Sequence, residues 1–558
     1  MRVQGSLMHM RLATRIRAFL LTTGAFAVGS AAQADTYPRQ PGVDAVHYVF
    51  RLALGDASNE ISGEASVTLK FVAAGVTHIF LDLASPAAHK DHGKGEARGM
   101  TVSSIAVADA AVPFAHVESR LRIDLPSAPA AGQEITIRVK YSGIPAGGLR
   151  LIDNIHGQRT VFSENWPNNA RQWLPMIDHP YDKATGEFIV TAPSHYRVVA
   201  NGLLVEEIDL PADQRRTHWK QSVPIASWLY ALGVARFATH HYAVVRGVPQ
   251  QVWVFPEDRE KGQELFELTG RRAFEFFSDW IGPYSYEKLA HVQAAGLGGG
   301  TEHASVIFYG EKGVAGGRAP VVHEVAHQWW GDAVTERDWD DVWLSEGFAT
   351  YFTHLYAEQF AGRDVFVRGL RADIPTIVQA QQALPDQPVV HRNISDMRGV
   401  LNRLVYQKAG WVLHMLRGTI GTDTFWAGIR EYYRRYRDRN ASTSDLRQVM
   451  ERQSGRDLSW FFDQWLNRPG MPKLSGGWRY DPAAKQITIE LSQLHNGLPY
   501  RLPLQVGIAG AAGAPRIELI ELKDKDGRFT LTAETEPASV TLDPDSWMLM
   551  EPPDFVKK

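Results

Sequence analysis

The stretch that decides how this chain is organised runs from His323 to Glu346 and reads HEVAHQWWGDAVTERDWDDVWLSE. His323 and His327 are four positions apart, and on a helix such positions lie on one face about one turn apart. Both imidazoles can therefore point at one spot, as two ligands of a tetrahedral zinc ion must. Glu324 lies on a neighbouring flank, where it can reach a water molecule at the metal but is badly placed to replace a ligand.

A third ligand is predicted further along the same stretch. Eighteen residues separate His327 from Glu346, and residues 339–351 have the apolar spacing of a second helix. The break at Gly331-Asp332-Ala333 allows this helix to fold back beside the first. Two neutral imidazoles and the Glu346 carboxylate leave the fourth zinc position open, which is typical of a catalytic site rather than a structural one.

The alternative is a chance match in which the histidines are ordinary surface residues. A His-Glu-any-any-His word has a chance likelihood of roughly a few per cent in a chain of this composition. The spacing of Glu346 and the helical pattern around both words favour the zinc site.

Two words in this stretch carry a family resemblance. HEVAHQWWG (residues 323–331) and WLSEGFATY (residues 343–351) resemble the aminopeptidase N and leukotriene hydrolase family of zinc metallopeptidases, the gluzincins. The resemblance runs from about Asp35 to the C-terminus. It implies a multidomain α+β fold with an N-terminal antiparallel β domain, a thermolysin-like and mostly helical catalytic domain, and a small C-terminal β-sandwich.

Composition limits the other possibilities. A chain of 558 residues is too long for one core, so roughly two to four domains are expected. The net charge of −3 argues against nucleic acid or an anionic membrane as the main partner. The absence of cysteine excludes a disulfide framework, a thiolate metal site and a cysteine nucleophile.

The N-terminus is typical of a signal peptide. Arg11, Arg15 and Arg17 form a basic region, residues 18–32 are mostly apolar, and Ala32-Gln33-Ala34 has small residues where a signal peptidase cuts. We expect cleavage before Asp35 and export to the periplasm or the medium, with no stable membrane association afterwards. An uncleaved membrane anchor is the alternative.

Changes in hydrophobic period predict the domain boundaries. Apolar residues tend to alternate at period two from Val46 to Tyr242 and again beyond Met471. From Asp258 to Asn467 the period is mostly helical, apart from strand-like stretches at Lys288–Gln293 and Val306–Tyr309. The expected units are a signal peptide at 1–34, an N-terminal β domain at 35–250, a catalytic domain at 251–470 and a β-sandwich at 471–558.

The segment Ser163–Pro180 is dense in Asn, Trp and Pro and lacks strand alternation. On composition alone it is a well-packed loop. The resemblance implies that it reaches the active-site cleft and carries polar groups that help to hold a substrate amine. Glu164 matches one of the family's two polar positions. Trp166 stands at the other position, and this departure from the family pattern implies less amine binding by this domain and a narrower first side-chain pocket.

A glycine run, Gly296–Gly300, precedes Thr301-Glu302-His303. It does not open a helix and no Lys-Ser/Thr pair follows, so a phosphate cradle is not favoured. The segment resembles the family word Gly-any-Met-Glu-Asn, with Thr301 replacing Met and His303 replacing Asn. The resemblance implies that Glu302 pairs with the ammonium group of the substrate, and the alternative is a plain surface glutamate.

Tyr406 begins the word YQKAG, which resembles the family's Tyr-any-Lys-Gly with Ala409 where Gly is usual. The resemblance implies that its phenol donates a hydrogen bond to the oxyanion of the reaction. A phenol has a pKa of about 10 and is a neutral donor at pH 7. The alternative is a packing role.

Together these residues predict a zinc aminopeptidase with one zinc ion per chain, acting on peptides that have a free N-terminus. Glu324 would serve as general base. One rival is an endopeptidase or a non-peptide hydrolase using the same site. The other is a non-catalytic peptide-binding protein of the cell envelope.

Overall fold

The computed structural model describes residues 35–86, 98–510 and 514–558. The predicted signal peptide and the alternative membrane anchor both lie outside the described residues. None of the helices within these ranges combines the length and the apolar composition that crossing a bilayer requires.

The N-terminal region is built of strands, because its apolar residues alternate along the chain. In Lys183–Pro193 every second residue is buried, so one face of the strand joins the core. The strands of this region are β1 (Val43–Ala53), β2 (Ile61–Phe71), β3 (His78–Asp82), β4 (Gly99–Val107), β5 (Ala110–Ala111), β6 (Phe114–Val117), β7 (Arg120–Asp124), β8 (Glu134–Ile144), β9 (Leu149–Asp153), β10 (Arg159–Ser163), β11 (Lys183–Pro193), β12 (Arg197–Ala200), β13 (Leu203–Leu210), β14 (Gln214–Ala226) and β15 (Leu232–Ala235).

These strands form one large sheet and two small ones. The large sheet has eight strands in the order β13-β14-β11-β1-β2-β8-β4-β5, and the small sheets are β12-β15-β10-β9 and β3-β7-β6. All pairs are antiparallel except β1 with β11. The predicted antiparallel β domain is confirmed, with this one parallel pair. Directly after β10 the chain enters the irregular segment that carries Glu164 and Trp166.

The next region mixes a sheet with helices. Its strands are β16 (Ala238–Val245), β17 (Val248–Val254), β18 (Leu289–Ala294), β19 (Gly300–Thr301), β20 (Val306–Gly310), β21 (Val334–Glu336) and β22 (Arg439–Ala441). Its helices are α1 (Arg259–Trp280), α2 (Glu311–Ala315), α3 (Val321–His327), α4 (Trp343–Ala361), α5 (Arg363–Ala383), α6 (Ala409–Ile420), α7 (Thr422–Tyr436), α8 (Thr443–Ser454) and α9 (Ser459–Phe462). The predicted mostly helical region after the β domain is confirmed.

One five-stranded sheet supports the helices, in the order β16-β17-β18-β20-β19. The expected domain boundary after residue 250 falls inside β17, which pairs in parallel with β18. Strands β16 and β17 continue the period-two alternation of the N-terminal region, but they belong to the sheet of the helical region. The change of period therefore comes after the change of domain. Strand β19 lies at the edge of this sheet and delivers Glu302.

Helix α4 starts later than its sequence pattern predicts. Trp339–Asp341 forms a 3-10 turn and the α-helix begins at Trp343. The Asp340 carboxylate accepts hydrogen bonds from the backbone N–H groups of Asn393 and Ile394, at 2.8 and 3.0 Å. These long-range contacts hold the turn outside the helix. A similar local change occurs at Leu404–Lys408, which forms a π-helix before α6.

Gly331 brings α4 beside α3, as the sequence predicts. Its φ is +99°, a backbone conformation that favours glycine. A Cβ atom at this position would overlap the Ser345 hydroxyl of α4. The glycine therefore permits both the turn and the close approach of the two helices.

The C-terminal region is a small β-sandwich, as predicted. Its sheets have the orders β27-β24-β23-β29 and β26-β25-β28, and the inward side chains of β24 and β25 are buried between them. The strands are β23 (Leu474–Asp481), β24 (Gln486–Gln493), β25 (Leu502–Ala509), β26 (Arg516–Leu522), β27 (Asp526–Thr532), β28 (Ser539–Leu542) and β29 (Asp554–Lys557).

Candidate metal centre

Helices α3 and α4 bring His323, His327 and Glu346 together. The two Nε2 atoms lie 3.1 Å apart. Oε2 of Glu346 lies 3.5 Å from Nε2 of His323 and 3.3 Å from Nε2 of His327. The side chain of His323 is 21% exposed and that of His327 is 1% exposed, so solvent reaches the cluster from the His323 side.

The cluster fits a zinc ion. Bonds of about 2.0–2.1 Å at tetrahedral angles place ligand atoms about 3.3 Å apart, close to the separations observed here. Oε2 of Glu346 is buried and has no hydrogen-bond partner among the described residues. A buried carboxylate oxygen beside two imidazole nitrogens requires a proton or a cation in the space between them. Two imidazoles and one carboxylate are a donor set that suits zinc.

The ring of His327 is oriented by groups on its far side. Its Nδ1 lies 3.0 Å from the carbonyl oxygen of Trp330 and 3.1 Å from the hydroxyl of Ser345. With Nδ1–H donating to the Trp330 carbonyl, Nε2 keeps its lone pair for a metal. Outer contacts of this kind fix the tautomer and the orientation of a metal-binding histidine.

The carboxylates around His327 favour a bound cation. Burial lowers the pKa of His327, but Glu302, Glu346 and Glu324 outweigh that effect and raise it well above its usual range. Burial raises the pKa of Glu346, but His327 and His323 bring it down to about 2. A proton at His327 thus compensates the surrounding carboxylates, and a divalent cation bound there would displace it.

Glu324 is buried beside the cluster. One carboxylate oxygen each from Glu302 and Glu324 and one ring nitrogen of His327 lie within 4.8 Å of one another. The backbone of Gly300 packs against Glu324, and a Cβ atom there would overlap the carboxylate. Burial and the neighbouring Glu302 raise the pKa of Glu324 well above its usual range. A carboxylate with a raised pKa is suited to accept a proton from a reacting group.

Glu302 is buried at 4% exposure, so it is not a plain surface glutamate. The indole Nε1–H of Trp166 donates to its Oε1 at 2.8 Å. Trp166 itself packs between Trp228 and Trp339, with ring centroids 5.0 and 4.9 Å away. The Ser163–Pro180 segment therefore does reach the cluster, and it does so through Trp166.

Glu164 has a different partner. Its Oε2 accepts a hydrogen bond from Nη2 of Arg150 at 3.1 Å, and Nη1 of Arg150 donates to the carbonyl of Gly296 at 2.5 Å. Glu164 thus lies near the glycine run, but its described contacts do not join it to Glu302.

Tyr406 lies next to the candidate ligands, within the π-helix. Its hydroxyl donates to Oε1 of Glu346 at 2.9 Å, and its ring stacks on His323 with the centroids 6.2 Å apart. Burial and then Glu346 raise the pKa of Tyr406 well above its usual range, so the phenol keeps its proton at neutral pH. Irregular turns such as π-helices are frequent at functional sites.

One residue of the site had no sequence-based prediction. Gln328, directly after His327, is fully buried. Its amide nitrogen lies 3.1 Å from the carbonyl of Glu302, 3.3 Å from that of His303 and 2.7 Å from Oδ2 of Asp332. It therefore ties the Glu302 segment to α3. Its position beside a predicted ligand was the only signal in the sequence.

Comparisons with known proteins agree with this architecture. A model described as the peptidase M1 N-terminal domain matches residues 44–229, and one described as the peptidase family M1 domain matches residues 269–465. The two ranges together take in more than half of the chain. A glutamyl aminopeptidase from Bos taurus is 26% identical over 405 residues, which are 68% of this chain and 41% of that protein. The chain thus spans well under two thirds of that relative's length.

Two solved structures share the fold. One is an aminopeptidase A from Legionella pneumophila in complex with aspartic acid, with a TM-score of 0.78, 17% identity, and coverage of 94% of this chain and 61% of that chain. The other is a mutant of an M1 zinc metallopeptidase from Deinococcus radiodurans bound to a Tyr-Ser-Ala substrate. Its TM-score is 0.63 at 24% identity, covering 76% of this chain and 94% of that chain.

A histidine pair on one helix, a glutamate on the next helix and a β-rich region before them define a gluzincin type of metallopeptidase. The chain belongs to peptidase family M1. The predicted family is confirmed. The predicted zinc cofactor is confirmed with it, since the donor set of the cluster suits zinc and the Deinococcus radiodurans protein of the same family is a zinc metallopeptidase.

Proposed function

We propose that this protein is a zinc-dependent aminopeptidase that hydrolyses the N-terminal peptide bond of peptides. The observation that carries the proposal is the short distance between two carboxylates of different roles. Glu302, already held by Trp166 at one oxygen, has a carboxylate oxygen within 4.8 Å of one from Glu324. An ammonium group paired with Glu302 would place the first peptide bond next to Glu324 and the candidate ligands. The names of the relatives from Bos taurus and Legionella pneumophila support the same activity.

His323, His327 and Glu346 would hold the zinc ion. When bound, the ion supplies Lewis acidity to the scissile carbonyl and to the attacking water. The hydrogen bond that Nδ1–H of His327 donates to the Trp330 carbonyl, together with the neighbouring Ser345 hydroxyl, presets the orientation of that ligand. Tyr406, by donating to Glu346, orients the third ligand in the same way.

Glu324 would act as the general base. Its carboxylate takes a proton from the attacking water and delivers it to the nitrogen of the leaving amine. The backbone of Gly300 limits where this side chain can move. A side chain that is held in place loses little entropy when the reaction begins.

Tyr406 would stabilise the negative charge that develops on the carbonyl oxygen. The phenol has one proton to donate, so it exchanges its bond to Glu346 for one to the reacting oxygen. A donor aimed at a developing oxyanion acts more strongly in a largely buried site than it does in water. Glu302 would meanwhile hold the substrate ammonium through a charge-assisted hydrogen bond.

The Glu302→Gln variant tests the aminopeptidase proposal. We expect KM for an aminoacyl amide with a free amine to rise by about 10- to 100-fold, because a buried ammonium would lose its countercharge. The parent protein should cleave this substrate far faster than its N-acetylated twin. Steady-state kinetics on both substrates, with Glu267→Gln of helix α1 as a control, measure these effects.

The same experiment separates the alternatives. Equal cleavage of the free and acetylated substrates by the parent would favour an endopeptidase or another hydrolase. Absence of turnover in a zinc-loaded parent would favour a peptide-binding protein of the envelope. A Glu302→Gln variant with unchanged KM would remove Glu302 from amine binding.

We also propose that the protein is exported, with periplasmic or secreted peptides as its substrates. The basic, apolar and small-residue regions before Asp35 support this proposal. Mass spectrometry of the protein recovered from the periplasm or the medium should find Asp35 as the first residue. A product that retains residues 1–34 would favour the membrane anchor.

A further inference from the structure

Residues 35–39 form a short segment, here called the N-terminal strap, whose first residue is buried. The side chain of Asp35 is 1% exposed. Its Oδ2 lies 2.8 Å from Nε2 of His179 and accepts the backbone N–H of Trp339 at 2.9 Å, while Oδ1 accepts the N–H of Tyr37 at 3.1 Å. One carboxylate thus joins the strap to two distant parts of the chain.

The contact with His179 has a defined direction. The backbone N–H of Tyr181 donates to Nδ1 of His179 at 3.2 Å. The neutral ring therefore carries its proton on Nε2 and donates it to Asp35. The ring of Tyr37 stacks on His179 at 4.6 Å, and its hydroxyl donates to Asp82 at 2.5 Å. These contacts fix the strap on the N-terminal β region.

The opposite side of the strap meets the turn before α4. Besides the bond from the Trp339 N–H to Asp35, Arg39 forms an ion pair with Asp338. The N–H of Thr36 donates to the carbonyl of Ile394 at 3.4 Å. The strap therefore holds the position of Trp339, which is 2% exposed.

Trp339 connects the strap to the surroundings of Glu302. Its ring packs on that of Trp166 at a centroid distance of 4.9 Å. Trp166 in turn donates its indole N–H to Oε1 of Glu302 at 2.8 Å. A continuous set of contacts thus runs from Asp35 through two tryptophans to the carboxylate assigned to the substrate amine.

We propose that Asp35 is a positioning residue for substrate binding, acting through Trp339 and Trp166 on the orientation of Glu302. This inference rests on the proposed aminopeptidase function. Asparagine at position 35 has one acceptor oxygen and one NH2 group, so either the N–H of Tyr37 or those of Trp339 and His179 would be buried without an acceptor. The turn at Trp339 would relax, and Trp166 would no longer hold Glu302 at one oxygen. Small displacements of a positioning group cost up to about 100-fold in catalytic efficiency.

A double-mutant cycle with Asp35→Asn and Trp166→Phe in the full chain tests the proposal. Asp35→Asn should raise KM for a free-amine aminoacyl amide by about tenfold, within that range, with kcat and zinc content unchanged. Trp166→Phe, which lacks the indole N–H, should act in the same direction. The double variant should be no worse than Trp166→Phe alone, because both changes act through one path.

The control is Asp56→Asn, which changes an exposed carboxylate that accepts a hydrogen bond from Tyr196 at 2.5 Å. It should keep the parent KM and kcat. A merely structural role for Asp35 would lower kcat through loss of folded protein and leave KM unchanged, and that outcome overturns the proposal. Additive effects in the double variant, or a parental KM in Asp35→Asn, overturn it as well.

If Asp35→Asn does not fold, His179→Gln replaces it in the cycle and is judged by the same outcomes. Failure of the underlying function has a separate signature. A parent protein that holds zinc but does not cleave aminoacyl amides contradicts the aminopeptidase activity. A parent that cleaves them, with strap variants that keep their KM, contradicts only the role of Asp35.

Discussion

Replacing Glu324 by glutamine is expected to lower kcat by about 10²–10⁴-fold while zinc stays bound. Glutamine has nearly the shape of glutamate but cannot take a proton from the attacking water. The three candidate ligands are untouched, so metal content should equal that of the parent. The measurements are kcat on an aminoacyl fluorogenic amide and zinc by atomic absorption.

A second variant allows the loss of kcat in Glu324→Gln to be compared with that of another group at the site. Tyr406→Phe removes one donor to the developing oxyanion and should cost about 10²–10³ in kcat. Tyr480→Phe, in the β-sandwich, also removes a phenol hydrogen bond, to the carbonyl of Ala533 at 3.1 Å, and should leave kcat unchanged. Full activity in Glu324→Gln would assign the base to another group.

Replacing His327 by alanine is expected to remove both zinc and activity. The His327 ring supplies one of three candidate ligands and is more buried than the ring of His323. The parent should lose activity with a chelator and regain it with added zinc, whereas the variant should not recover. Zinc should also stabilise the parent, by about 2.7 kcal/mol at 100 times its dissociation constant. The shift in Tm on adding zinc measures this stabilisation.

The matched control for this experiment is His354→Ala. His354 lies on α4, the helix of Glu346, and its Nε2 lies 2.9 Å from Oδ2 of Asp373. Its loss should leave zinc content and turnover unchanged. A His327→Ala protein that retains zinc and turns over substrate would contradict the assignment of His327 as a ligand.

The sequence was informative wherever a contact follows from local spacing. His323 and His327 are neighbours on any helix, and Gly331 marks a turn that brings α4 back. The same reasoning failed at Trp339, where period alone predicts a helix. The competing hydrogen bonds of Asp340 come from residues more than fifty positions away, and no local pattern reports such partners.

The surroundings of Glu302 were harder to predict for the same reason. Resemblance pointed to Glu302 and Glu164, but the structure joins Glu302 to Trp166 and Glu164 to Arg150. Trp166 counted as a departure from the family pattern, and its indole N–H proves to be the group that contacts Glu302. Such pairings depend on how two sheets and a loop meet, which spacing along the chain does not encode.

The bond between Trp166 and Glu302 has a consequence for recombination between relatives. The donor and the acceptor come from stretches that two separate family models match, one ending at residue 229 and the other beginning at residue 269. A hybrid gene joined between residues 229 and 269 would take Trp166 from one parent and Glu302 from the other. Only parents with compatible residues at both positions would give hybrids that keep this hydrogen bond between Trp166 and Glu302.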